Sequence, residues 1–157
     1  MATITNQAAL SYNGVTTLSN IAVGELVEVL TATKTAADTT YTAGGVKTFV
    51  ISLVNSSAAA LTGLTVTDTL GSYTFSGNTL YPLTYVTGSL LYYVNGALQA
   101  TPTVTATAPL TVTGVTVPAG GSAMLIYTAR VNEYAPLGVE DSITNTATIT
   151  GGGLTSS

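Results

Sequence analysis

Along most of the chain, apolar and polar residues alternate one by one, the period of a pleated strand with one buried face. In VKTFVISLVN (46–55), Phe49, Ile51 and Leu53 fall on one face. In LTVTDTL (64–70), Leu64, Val66 and Leu70 share a face and threonines take the other. ITNTATI (143–149) sets Ile143, Ala147 and Ile149 together. Thr, Val, Tyr and Ile dominate these runs and suit a half-buried pleated surface. Turn residues punctuate them: Gly44-Gly45 before the first, Asn95-Gly96 between LLYYV and ALQA, and Pro118 to Gly121 between LTVTGVTV and SAMLIYTARVN. Many short strands with regular turns and no helical stretch predict an all-β chain, an Ig-like antiparallel β-sandwich with an N-terminal β-strand arm; a β-barrel is the alternative.

The expected boundaries are an arm over 1–31 (strands TITNQAALSY, VTTLSNIAV and ELVEVLTA), the sandwich over 32–151 and a flexible tail over 152–157. The arm opens with ITNQA (4–8), nearly the same words as ITNTA (143–147). The second copy reads as the strand that closes the sandwich. The first, with Ile4, Asn6, Ala8 and Leu10, reads as a closing strand without a sandwich of its own. A two-stranded unit is marginal in water and needs a sheet to join. Joining a neighbour's open edge predicts a head-to-tail homopolymer built by strand addition. Folding back onto its own sheet predicts a monomer.

Composition narrows the functions. The 157 residues suit one domain of ordinary size. Only 6% are charged and the net charge is −4, without a basic patch, which argues against a nucleic-acid partner. No apolar run approaches the ~18 residues of a membrane helix. MATITNQAAL lacks the basic start and solid apolar stretch of a secretory signal, so an extracellular location implies a removed signal or another route of export. Without Cys or His there is no disulfide, thiolate nucleophile or His-based triad, and no metal or cofactor is expected. Glu140-Asp141 reads as a solvated pair, and Glu25 and Glu28 as solvent- or subunit-facing positions. Of Tyr92 and Tyr93, alternation sends one to the core and the other outward to a candidate interface.

Several phrases in order, YTAGGVKTFVISLVNSSAAALTGLTVTDTL, LTYVTGSLLYYVNG, VTVPAGGSAMLIYTARVN and ITNTATITG, cover roughly residues 30–151 and carry a resemblance. The chain resembles the prokaryotic surface-protein conserved repeat domain, also called domain of unknown function eleven. That resemblance implies tandem β-sandwiches of bacterial or archaeal surface proteins and of cell- or spore-surface appendages. It implies a structural or adhesive role and no enzymatic turnover. Lys47 departs from the pattern, standing on the face of Phe49 and Ile51 where the family usually has an apolar residue. At a strand end its amine can snorkel to solvent.

Three more polar residues fall on apolar faces: Lys34 at the parity of Leu30 and Ala32, Asp68 between Val66 and Leu70, and Asn145 between Ile143 and Ala147. Burying any of them alone is costly. Together they can form an amide. Burial disfavours the lysine cation and favours its nucleophilic amine, a protonated carboxyl polarises the Asn side chain, and ammonia leaves. An early Lys, a middle acid and a late Asn are similar to isopeptide-bonded pilin and adhesin domains. The alternative is a buried Lys–Asp pair capped by Asn, without covalent chemistry. At the level of function, the expectation is a self-assembling surface filament subunit. The alternative is an adhesin or carbohydrate-binding module, with Tyr73, Phe75, Tyr81 and Tyr85 as a stacking surface for a host or surface ligand.

Overall fold

A computed structural model describes residues 3–25, 28–138 and 141–154. Its elements are strands: β1 (Thr3–Asn6), β2 (Ala9–Tyr12), β3 (Val15–Leu18), β4 (Ala22–Glu25), β5 (Leu30–Ala36), β6 (Val46–Asn55), β7 (Leu61–Asp68), β8 (Tyr73–Phe75), β9 (Asn78–Leu80), β10 (Leu83–Tyr85), β11 (Leu91–Val94), β12 (Ala97–Gln99), β13 (Thr103–Thr107), β14 (Leu110–Val117), β15 (Ser122–Val131) and β16 (Ala147–Thr150). Two antiparallel sheets make the sandwich. The larger runs β12-β11-β15-β6-β5, with β10 also on β15, and the smaller runs β13-β14-β7-β16.

The core forms where the inner faces meet. Along β6 every second residue from Lys47 to Asn55 is buried, and β15 alternates in the same way from Ala123 to Val131. Phe49, Ile51, Leu53, Leu125 and Tyr127 face Leu64, Val66, Val112 and Val115 of the other sheet. Fully burying such a side chain is worth about 1.5–3 kcal/mol. In β7 and β14 the parity slips: Leu61 and Leu64 are both buried, as are Val112 and Val115. The register between the two strands shifts on either side of Val115, and Gly63 and Gly114 lie nearby with φ of +66° and +83°. Each inserted glycine restores the inward face one residue later. Asn55, at the inner end of β6, donates from Nδ2 to the carbonyls of Ala59 and Pro118 and accepts from Ser57 N–H, tying the loop ends together.

The arm differs from its expected form. ITNQAAL is not one strand. It breaks after Asn6 into β1 and β2, and each pairs within the arm, β1 with β4 and β2 with β3. The two ribbons make one long hairpin, folded at Asn13-Gly14 with φ of +49° and +78°. Those values match the type I′ turn that suits twisted strands. The segment 143–149 is likewise only partly strand, since β16 begins at Ala147. The expected arm strand ELVEVLTA resolves differently too. Leu26 and Val27 lie outside the described residues, and Leu30 to Ala32 belong to β5 of the sandwich, slightly ahead of the expected boundary. The tail starts later than expected, because Gly152 lies against Leu64 and Leu154 packs on the core; residues 155–157 lie outside the described residues.

Candidate functional site

Lys34 within β5, Asp68 at the end of β7 and Asn145 just before β16 come together, Lys34 bonded directly to the Asp68 carboxylate and Asn145 linked to it through Tyr127 rather than polarised by the carboxyl itself. Strand β5 places Lys34 opposite Ile51 on β6, with its side chain only 12% exposed. Asp68 ends β7 and is fully buried. Its Oδ2 accepts hydrogen bonds from Lys34 Nζ and from Tyr127 Oη, each at 2.5 Å. Its Oδ1 accepts the N–H of Leu70 at 3.0 Å. Leu70 and Gly71 both have positive φ, so the chain turns sharply after the carboxylate. That turn aims Gly71 N–H at Asn145 Oδ1, 3.0 Å away, and the Thr69 hydroxyl also donates to Oδ1 at 3.3 Å. The Asn145 amide nitrogen donates to Tyr127 Oη at 3.3 Å. Lys34 and Asn145 are therefore joined through Asp68 and Tyr127.

Tyr127 is the member that alternation did not single out. A tyrosine at an inward parity reads as core, and its ring does pack there, 5.4 Å from Phe49 and 6.2 Å from Tyr85 between centroids. Only the position of its hydroxyl relative to the opposite sheet shows the second role. Lys34 Nζ also lies 5.1 Å from the Phe49 ring centroid, where the π face favours the cation.

Burial holds the Lys34 amine below its ordinary pKa, and the Asp68 charge and hydrogen bond oppose that only in part. Burial also pushes the Tyr127 phenol far above its usual range, reinforced by the Asp68 charge and hydrogen bond, while the Asn145 hydrogen bond pulls the other way. The arrangement thus offers a lysine that sheds its proton readily, a phenol that keeps its own, and an amide carbonyl already held by donors.

Gly71 is tightly enclosed: a Cβ there would lie 2.4 Å from Ile143 Cγ2 and 3.1 Å from Pro82. We therefore expect Gly71→Ala to cost about 1–3 kcal/mol and to push the segment carrying Asn145 away from Asp68. Chemical denaturation reads the cost. Loss of protection of the residue 71 backbone N–H, which donates to Asn145 Oδ1, reads the displacement in NMR.

The other candidate positions sort by exposure. Lys47 is buried, but its amine reaches outward to the Thr40 carbonyl and to exposed Asp38, 3.3 Å away. A groove of about 420 Å³ lies beside it, lined by Thr35, Ala36, Tyr41, Phe49 and Ile143. Of the four proposed stacking aromatics, Tyr85 is unavailable, because it is buried in the core, and Tyr81 packs partly against the core. Tyr73 and Phe75 remain exposed on the β8–β9 hairpin. Tyr92 is the core member of its pair and donates to the Thr116 carbonyl, whereas Tyr93 is half-buried. Asp141 accepts the Gly138 N–H in a local turn, Glu28 is exposed, and Glu140 and the Glu25 side chain lie outside the described residues. Among the described residues no acidic cluster could hold a metal ion. Of the arm positions, Ile4, Asn6, Ala8 and Leu10 are all exposed.

No family model matches the chain, and no curated protein matches it. The resemblance to the conserved repeat domain therefore stands on the quoted phrases. Among solved structures, the pilus backbone of Streptococcus pneumoniae is similar, with a TM-score of 0.59 and 16% identity. The alignment covers 77% of this chain and 31% of that one, so this chain spans about a third of the pilus protein's length. A protein described as catalysing macrocyclization in alchivemycin A biosynthesis aligns over 95% of this chain and 98% of its own, at 13% identity and a TM-score of 0.40, too low to bear on fold or function. In fold, the chain is an all-β protein of antiparallel sheets similar to a pilus backbone subunit.

Proposed function

We propose that this chain is a structural subunit of an extracellular cell- or spore-surface filament. It polymerises head to tail with copies of itself and is locked internally by an isopeptide bond between Lys34 and Asn145. The observation that carries the reading is the arm. Among the described residues the sandwich core draws on none before Leu30, while Ile4, Leu10, Tyr12, Val15, Leu18 and Val23 of the arm stand 60–75% exposed. Such an apolar ribbon favours a second surface. The similarity in fold to a pilus backbone subunit supports the same reading.

The unit donated to a neighbour is then the hairpin. The inner edge of β1 is already paired with β4, and its outer edge is open. Receiving edges exist at β5 and β16, the ends of the two sheets nearest Lys34 and Asn145. Ala32 and Ala36 lie at the inward parity of β5 yet are exposed, so the sandwich is open along this seam. Backbone pairing supplies affinity in such a joint, and side-chain pockets supply register. The contact repeats without closing, which yields a fibre. Negative-stain electron microscopy of the purified chain tests this: filaments support it, and a monodisperse monomer at high concentration removes it.

Formation of the bond is a single maturation event and not turnover. The chain should be one ammonia lighter by intact mass than its sequence requires. A full mass leaves the cluster as a noncovalent buried pair. Closing a loop of about 110 residues should add ~4–5 kcal/mol, by analogy with a disulfide of that span. The reaction also has a direction in pH. Burial lowers the Lys34 pKa, so the reactive neutral amine fills at lower pH than for a free lysine. After refolding, ammonia loss should accelerate with rising pH and level off below 10.5, the ordinary lysine value.

A further inference from the structure

We infer that Tyr127 is the acid that protonates the departing nitrogen of Asn145, and that Gly71 N–H with the Thr69 hydroxyl forms the cradle for the amide oxygen as it becomes negative. The inference rests on the Lys34–Asn145 condensation proposed above and assigns roles within it.

The proton accounting follows the hydrogen bonds. When neutral Lys34 Nζ bonds to Asn145 Cγ, the attacking nitrogen must lose one proton and the departing Nδ2 must gain one. Lys34 Nζ donates to Asp68 Oδ2 at 2.5 Å, the same Oδ2 accepts Tyr127 O–H at 2.5 Å, and Tyr127 Oη accepts from Asn145 Nδ2 at 3.3 Å. A proton leaving Nζ lands on Oδ2. The phenol passes its own proton to Nδ2 and recovers one from Oδ2. The C–Nδ2 bond breaks, ammonia leaves, and the new amide remains. Asp68 and Tyr127 finish in the states they began in, and no co-reactant is consumed.

The carbonyl end is equally provided for. Asn145 Oδ1 accepts Gly71 N–H at 3.0 Å, and the Thr69 hydroxyl lies 3.3 Å away, its one proton shared between this oxygen and the Thr146 carbonyl at 3.2 Å. Donors already aimed at the oxygen stabilise charge as it develops and need no reorganisation. The sharp turn through Leu70 and Gly71, both at positive φ, holds the N–H in place. The phenol suits its task because burial beside a carboxylate keeps it protonated until the moment of transfer.

The test follows ammonia loss by time-resolved intact mass after refolding, for the full chain and three variants. Loss in the wild type reads the condensation itself; its absence there overturns that reading and this inference with it. Given loss in the wild type, Tyr127→Phe, which keeps the ring stack on Phe49, is expected to react about 10²–10⁴-fold more slowly. Thr69→Val, which spares the Gly71 N–H, is expected to slow the reaction by less. A Tyr127→Phe chain that folds and reacts at the wild-type rate overturns the relay while the condensation stands. Site-specific replacement of Tyr127 by 3-fluorotyrosine decides the matter if Tyr127→Phe does not fold. This near-isosteric, more acidic phenol should speed the reaction and shift its pH profile, whereas a purely packing role predicts an unchanged rate and profile.

Discussion

Removal of residues 1–25 is expected to abolish filaments completely while leaving a folded, soluble sandwich. The physical reason is the separation of tasks along the chain. Among the described residues every core side chain comes from Leu30 or later, and the first sandwich strand is held by seven paired positions on β6. The joint at Val29, whose carbonyl accepts Ser56 N–H, also survives the cut. The truncated chain should therefore melt within about 1 kcal/mol of the parent's internal stability, since exposed residues contribute little. What it loses is the apolar ribbon and its free backbone edge, which are all the proposed joint uses on the donor side. Electron microscopy reads the fibres and thermal denaturation reads the sandwich. Fibres of unchanged form from the truncated chain would show that assembly runs through some other surface.

Asp68→Ala is expected to be the most damaging single substitution in the sandwich. It strands a lysine amine and a tyrosine hydroxyl that both donate to the lost carboxylate, within a site where Asp68 itself is fully buried. Breaking a buried ion pair from one side typically costs about 3–5 kcal/mol, to which loss of the cross-link adds its own ~4–5 kcal/mol. It should also stop ammonia loss, because the shared proton acceptor is gone. Adding Lys34→Met to Asp68→Ala should recover a large part of the stability, because the stranded charge is removed, and recover none of the bond. Urea denaturation of the two single variants and the double variant gives the coupling directly. Additive losses would mean that the two groups do not act as a pair.

Much of this site was legible from parity alone. Lys34, Asp68 and Asn145 lie far apart in sequence, yet each breaks an apolar face, and the structure sets Lys34 on the Asp68 carboxylate and Asn145 one hydroxyl away from it, on Tyr127. Parity works there because β7 itself carries no extra residue between Leu64 and Asp68; the shift opposite Leu64 and Thr65 is taken up by Gly114 on β14. It fails where glycines shift the register, as at Gly63 and Gly114, since an inserted residue changes faces without changing composition. Tyr127 was hidden for a different reason: an amphipathic ring satisfies an inward position, and its partner sits on the opposite sheet. Within the arm, likeness misleads about one strand. ITNQA so resembles ITNTA that one continuous strand was the natural expectation. The turn at Asn13-Gly14 falls between the two expected strands; the departure is the break after Asn6, which leaves β1 to pair with β4 and β2 with β3.

The placement of the cations has a consequence for attack by proteases. The chain's basic residues are Lys34, Lys47 and Arg130, and all three lie within paired strands of the larger sheet. The most accessible backbone, in the arm and the surface loops, carries no lysine or arginine at all. Digestive enzymes of the trypsin type cut after those residues and need an extended, unpaired segment to do so. They would find nothing to cut in this protein short of unfolding it, so the segment most open to attack is also the one such enzymes cannot recognise.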